Sequence, residues 1–116
     1  MQHDPSLISV VLFLLSAPII VAAVPLILGL VKMNGAYGVR IPESFRSEAR
    51  WYEINRFGGV LLLVWGVAVG VTGVIGVLVD RSEWFRFCLL AAGVVIGGAI
   101  LMVIAIFVYA AKTRKK

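Results

Sequence analysis

The chain has 116 residues, is 61% apolar and 15% charged, and carries a net charge of +5 with a mean hydropathy of +1.03. A soluble domain of this length is near half apolar and about a quarter charged, so the composition excludes one. The single cysteine, Cys88, excludes an internal disulfide and is read as a small apolar filler rather than a redox group.

The leader Met1–Ser6 has no Lys or Arg and carries Asp4 and the lone histidine, His3. The apolar run that follows, Leu7–Val31, is longer than the apolar region of a secretory signal, so it is read as a retained helix. Pro18 and Pro25 lie seven residues apart within it. Each removes a backbone donor, and the outcome is either a kink that opens a lateral groove or the ordinary tolerance of proline in membrane helices.

Two further runs, Phe57–Val79 and Phe87–Ala111, also lack Asp, Glu, Lys, Arg and His. Each run exceeds the roughly 20 residues needed to cross a hydrocarbon layer of about 30 Å. An isolated strand would leave its backbone groups unpaired in lipid, so the runs must be helices. The expected fold is all-α: one integral membrane domain over 1–116, a bundle of three transmembrane helices. The spans are placed at about 7–31, 57–79 and 87–111, with a cytoplasmic loop at 32–56, an interfacial helix within that loop, and a basic tail at 112–116.

Lys and Arg set the orientation. The leader has none, the loop has Lys32, Arg40, Arg46, Arg50 and Arg56, the turn Asp80–Arg86 has Arg81 and Arg86, and the tail has Lys112, Arg114, Lys115 and Lys116. The positive-inside rule then puts the N-terminus outside the cell membrane and the loop and C-terminus in the cytoplasm. The net charge is accounted for as a topology signal, and no direct nucleic-acid binding is expected. Trp51, Tyr52, Phe57, Trp84, Phe85, Phe87 and Tyr109 frame the spans as interfacial aromatics.

Gly59, Gly66, Gly70 and Gly73 form one stripe along the second span, and Gly93 and Gly97 repeat the GxxxG spacing in the third. Small residues let helix backbones approach closely inside lipid. Packing of the second span on the third within one chain is the favoured reading, and a homodimer through the second span is the other. No span carries an ionisable group, which counts against an ion-coupled transporter acting alone. Trp65, deep in the second span with an N–H to satisfy, is read as packing against a neighbour.

The loop holds the most specific residues. Asn34-Gly35 and Gly38 are turn chemistry, and Pro42 blocks helix at Ile41. Ser44 or Ser47 is then the cap of a helix running through Phe57. That segment either lies in the interface or extends the second span. Arg40 and Arg56, with Asn34 and Asn55, are expected to form a polar site for phosphate or carboxylate, or else to reach headgroups or glutamates. Arg46 and Arg50 are read as partners of Glu43, Glu48 and Glu53.

The pattern Asn34…Tyr37-Gly38-Val39-Arg40-Ile41-Pro42…Ser47…Trp51…Asn55-Arg56…Gly58 resembles the signature of the SdpI immunity-protein family. Its members carry an Asn, a Gly-Val/Ile-Arg-Thr-Pro run, a Ser, a Trp and an Asn/His-Arg between two membrane helices. Ile41 stands where threonine is usual, so no hydroxyl is available there. The resemblance implies protection against a secreted, membrane-active toxic peptide, with Asn34, Gly38, Arg40, Pro42, Ser47, Trp51, Asn55 and Arg56 as binding residues. It also implies a cytoplasmic repressor as a partner of the best-known member. The competing class is a membrane scaffold or signalling subunit. No nucleophile–base pair, metal-ligand cluster or phosphate-binding loop is present in the sequence, so no catalytic residue, metal or cofactor is expected and the chain is not read as an enzyme.

Overall fold

The structure is a computed structural model and describes residues 5–114. His3 and Asp4 of the leader, and Lys115 and Lys116 of the tail, lie outside the described residues. The chain is all-α, with no strand among the described residues, and it has three helices long and apolar enough to cross a membrane.

Helix α1 covers Pro5–Ile27. The apolar run continues to Val31, but the helix does not. Gly29 turns into the left-handed region at φ 71°, and the chain closes with Gly29 N–H donating to Leu26 O and Leu30 N–H donating to Pro25 O. This paired closure satisfies the last carbonyls of the helix, and it needs a residue without a Cβ at the turning point.

The loop contains one separate helical piece, a 3-10 turn over Pro42–Phe45. Helix α2 then runs unbroken from Glu48 to Leu78. Its cap is Ser47, in extended conformation, whose Oγ accepts the Arg50 N–H at 3.1 Å. The segment expected as an interfacial helix is therefore the start of α2 itself, the second of the two forms open to it. At 1.5 Å per residue α2 is about 46 Å long, more than a hydrocarbon layer needs, so its first turns stand beyond the apolar zone.

The third helical segment, α3, spans Arg81–Lys112. It opens with a 3-10 turn at Arg81–Glu83 and passes through a wider π turn at Gly93–Gly97.

Helices α1 and α2 make the main packing surface. The glycine stripe of α2 faces α1, not the third helix, and this corrects the favoured sequence reading. A Cβ at Gly59 would meet Leu26 and Ile27, one at Gly66 would meet Ile19 and Ile20, and one at Gly70 would meet Ser16. At Gly73 the obstacle is backbone: Ser9 O at 2.7 Å and Phe13 N at 2.9 Å. Gly76, one turn further, continues the stripe against Ser9 and Phe87. The helices approach this closely because those side chains are missing. Polar atoms in the contact are satisfied locally: Ser16 Oγ donates to Phe13 O at 2.5 Å and Thr72 Oγ1 to Ala68 O at 2.8 Å.

Gly93 and Gly97 have open space where a Cβ would stand. Helix α3 is held through other residues, at its two ends and midway at Trp65. Phe87 and Ala91 join Leu12 and Val69 near the turn, and Ile106 and Ala110 join Ile54 near the loop. The outward faces of all three helices expose large apolar side chains, as a lipid-facing surface requires.

Gly73→Ala is expected to destabilise the bundle by about 1–3 kcal/mol through overpacking against fixed backbone. Gly97→Ala, with nothing to meet, is expected to be neutral or stabilising. Thermal unfolding midpoints of the two variants in detergent, read by circular dichroism, check this pair.

Candidate functional site

The loop between α1 and α2 folds around three amide and hydroxyl side chains. Asn34 builds the first turn. Its Oδ1 accepts the Ala36 and Tyr37 N–H groups at 2.8 and 2.7 Å, and its Nδ2 donates to Lys32 O at 2.7 Å and Tyr37 O at 3.1 Å. Arg40 closes the same turn from outside by donating to Gly35 O at 2.6 Å. The Tyr37 hydroxyl donates to the Ala22 carbonyl and ties the turn to α1.

Asn55 and Trp51 form the inner frame. Both are buried, Trp51 completely and Asn55 to 2% exposure. Asn55 Oδ1 accepts the Val39 N–H at 2.6 Å, and Nδ2 donates to Trp51 O at 2.9 Å and Val39 O at 3.4 Å. The Trp51 indole N–H donates to Val31 O at 2.8 Å, which fixes the segment just past α1 to α2. Gly38 sits directly over both, at φ 113°, and a Cβ there would lie 2.6 Å from Asn55 Oδ1 and 3.2 Å from the Trp51 ring. Glycine is required twice over, by conformation and by space. Val39 in turn covers Gly58, where a Cβ would lie 2.5 Å from Val39 Cγ2.

Ser44 completes the frame, and it is not the cap of α2. The two serines do separate jobs. Ser47 caps α2, while buried Ser44 accepts the Ile41 N–H at 3.0 Å and holds its proton between Val39 O at 2.8 Å and Ile41 O at 2.7 Å. Pro42 starts the 3-10 turn that carries Ser44. Ile41 packs against the cluster of Ile54, Ile106 and Ala110, an apolar setting suited to its side chain.

Arg56 is anchored elsewhere. Its Nε donates to Ile27 O at 3.3 Å, placing a cation at the C-terminal end of α1 where the helix dipole favours one. No hydrogen bond or ion pair joins Arg40 to Arg56 among the described residues. Asn34 and Arg40 shape one turn, Asn55 frames the next, and Arg56 caps a helix.

Arg50 is the ionic centre, and its partners reach beyond the neighbouring glutamates. Its side chain is 16% exposed. It binds Glu43 at 3.0 Å and also Glu53. It further donates to Ala110 O at 2.9 Å and Thr113 Oγ1 at 2.8 Å, clasping the end of α3 onto the loop. Its Nε is buried without a hydrogen-bond partner among the described residues. Arg46 pairs with Glu43 at 3.3 Å and Arg114 approaches it at 3.8 Å. Burial pushes the Glu43 carboxyl up, but Arg46 and the hydrogen bonds from Arg50 and Arg46 outweigh it, so its pKa lies below the usual 4.5. Arg46, Ser47, Ala49 and Thr113 line an open polar cleft of about 380 Å³ beside this cluster.

A second opening lies within the spans. Trp65 of α2 donates its indole N–H to Val94 O at 3.1 Å, and its ring lies against Gly98, where a Cβ would be 2.6 Å away. The π turn of α3 meets α2 at this point. Beside Trp65, an apolar groove of about 490 Å³ runs between α2 and α3, with Gly93, Gly97, Leu101 and Met102 on its α3 side. Among the described residues, no three His, Cys, Asp or Glu side chains gather as a metal site.

The model of the SdpI/YfhL protein family matches residues 30–111, more than half of the chain. The chain belongs to that family. No curated protein and no solved structure matches it. The match begins just past the end of α1 and takes in the loop frame, α2 and nearly all of α3.

The Glu43 cluster gives a pH dependence with a defined sign. A carboxyl whose folded-state pKa is depressed stabilises the fold above its unfolded value of 4.5, and that contribution is lost as pH falls through the folded-state value. Wild type should therefore unfold at a higher temperature than Glu43→Gln at about pH 6, and the gap should shrink as pH falls below 4.5. Midpoints for both proteins across that range read the effect.

Proposed function

We propose that this protein confers resistance to a secreted, membrane-active toxic peptide by binding the peptide or its target within the membrane. The observation that carries the reading is the apolar groove between α2 and α3. It is bounded by the open glycines Gly93 and Gly97 and by Trp65, and it holds no ionisable side chain. A peptide that acts inside the bilayer arrives from the side, and a groove of this chemistry takes an apolar segment without burying an unpaired charge. Membership in the SdpI/YfhL family supports the same reading through the immunity function that the loop signature implies.

In this account the loop is a positioning device. The frame of Asn55, Trp51 and Ser44 fixes the ends of α1 and α2, and the Arg50 clasp fixes the end of α3, so the width of the groove is set from outside the bilayer. The action is binding, without a chemical step. The Lys and Arg asymmetry supports a cell membrane location with the N-terminus outside and the loop and tail in the cytoplasm.

A scaffold or signalling role is favoured by a different observation, the polar cleft at the Glu43–Arg50 cluster. A cytoplasmic regulator would dock there, and co-purification from native membranes tests for it.

The direct experiment is killing of sensitive bacteria by membrane-active peptides, in cells with matched membrane levels of wild type or Gly97→Phe. Gly97 has open space beside it, so the ring fills the groove without disturbing the fold. Wild type should protect, and the variant should lose about tenfold in protective ratio, which corresponds to about 1.4 kcal/mol of binding. Equal protection by both removes the groove from the mechanism, and no protection by either removes the immunity reading.

A further inference from the structure

One cleft at the loop end belongs neither to the frame nor to the groove. Ala49, Tyr52, Glu53, Arg56, Phe57 and Val60 line its α2 wall. Their spacing of three and four residues puts them on a single face of the helix. Tyr109 of α3 forms the facing wall, and the cleft measures about 490 Å³.

The chemistry of this face changes in order along the helix. Arg56 is the last charged residue of α2, and the chain from Phe57 to Val79 carries none. Phe57 stacks on Tyr109, with ring centroids 4.0 Å apart and planes 6° from parallel. Val60 is exposed one turn further into the apolar zone. Cation, aromatic pair and aliphatic surface therefore follow one another along the axis of a membrane helix. A phospholipid presents its phosphate, glycerol and acyl chain in that same order.

The charges in the cleft favour an anion. The Glu53 carboxylate is taken up by Arg50. Arg56 is exposed, and its Nε is fixed on Ile27 O. Its two terminal amino groups make no hydrogen bond or ion pair among the described residues, so a preorganised pair of donors is available to a phosphate. Lys112, exposed and three residues past Tyr109 on the same face of α3, adds a second positive charge.

We propose that this cleft binds an anionic phospholipid. The phosphate sits on the Arg56 amino groups, the headgroup region lies between Tyr52 and Tyr109, and the first part of an acyl chain runs along Val60. A zwitterionic headgroup brings its own ammonium group against Arg56 and Lys112 and binds less well. The lipid would thereby fill the seam between α2 and α3 at the membrane edge.

The test is native mass spectrometry of the full chain in neutral detergent, titrated with phosphatidylglycerol or with phosphatidylcholine of identical acyl chains. Wild type should retain phosphatidylglycerol in preference by about fivefold, the ratio set by one basic residue near an anionic surface. Arg56→Gln should abolish the preference, while Arg86→Gln, at the opposite end of the molecule, should keep it. Equal retention of the two lipids by wild type overturns the proposal without reference to any variant. So does full preference in Arg56→Gln. Displacement of phosphatidylglycerol by inorganic phosphate alone overturns the lipid assignment in favour of a free-anion site.

Discussion

Asn55 enters the bundle near the loop end of α2, where a backbone has no water to bond with once it is covered. Its carboxamide supplies both halves of what the Val39 peptide needs, an acceptor for the N–H and a donor for the carbonyl. A buried peptide group left unsatisfied costs about 1–3 kcal/mol. The loop can therefore lie down on α2 only where this amide receives it. Gly38 must be glycine because the approach is so close, and Gly58 must be glycine because Val39 then rests on it. Trp51 and Ser44 extend the same arrangement to the segment that follows α1 and to the 3-10 turn. Pattern residues that look like a ligand-binding set in the sequence are largely a set of backbone partners for one another.

With the loop held down, the three helices take unequal roles. Helices α1 and α2 are joined along their length through missing side chains, which suits lipid, where apolar attraction between helices is weak and close approach supplies the contact. Helix α3 is held by Phe87 near one end, by Trp65 on Val94 at its π turn, and by the Arg50 clasp at the other end. The groove is a consequence of that unequal holding. The open glycines of α3 line the groove, beside the point where Trp65 meets Val94 and Gly98.

The spans were legible in the sequence because the absence of charge over more than twenty residues has one physical explanation in a membrane. The end of α1 was not legible, because Gly29 lies inside an uninterrupted apolar run and only its left-handed conformation ends the helix. The glycine stripe was legible as a thin face, but its partner was not. Gly66–Gly70 and Gly93–Gly97 have identical spacing, and spacing reports which face is thin rather than what covers it. At the loop, the signature residues were found, and their roles as mutual backbone partners were hidden. Arg50 was assigned to nearby glutamates because charges close in sequence pair readily. Its bond to Thr113 crosses 63 positions, and no local pattern announces that.

The Asn55–Val39 contact holds the loop on α2, and amide hydrogen exchange measures it directly. In wild-type protein the Val39 amide should exchange as slowly as that of buried Ile54, while the neighbouring Arg40 amide, which has no acceptor among the described residues, exchanges fast. In Asn55→Ala the Val39 amide should speed up to the Arg40 rate. A Val39 amide that already exchanges like Arg40 in wild type would contradict the account, because the loop would then not be held on α2 by this side chain.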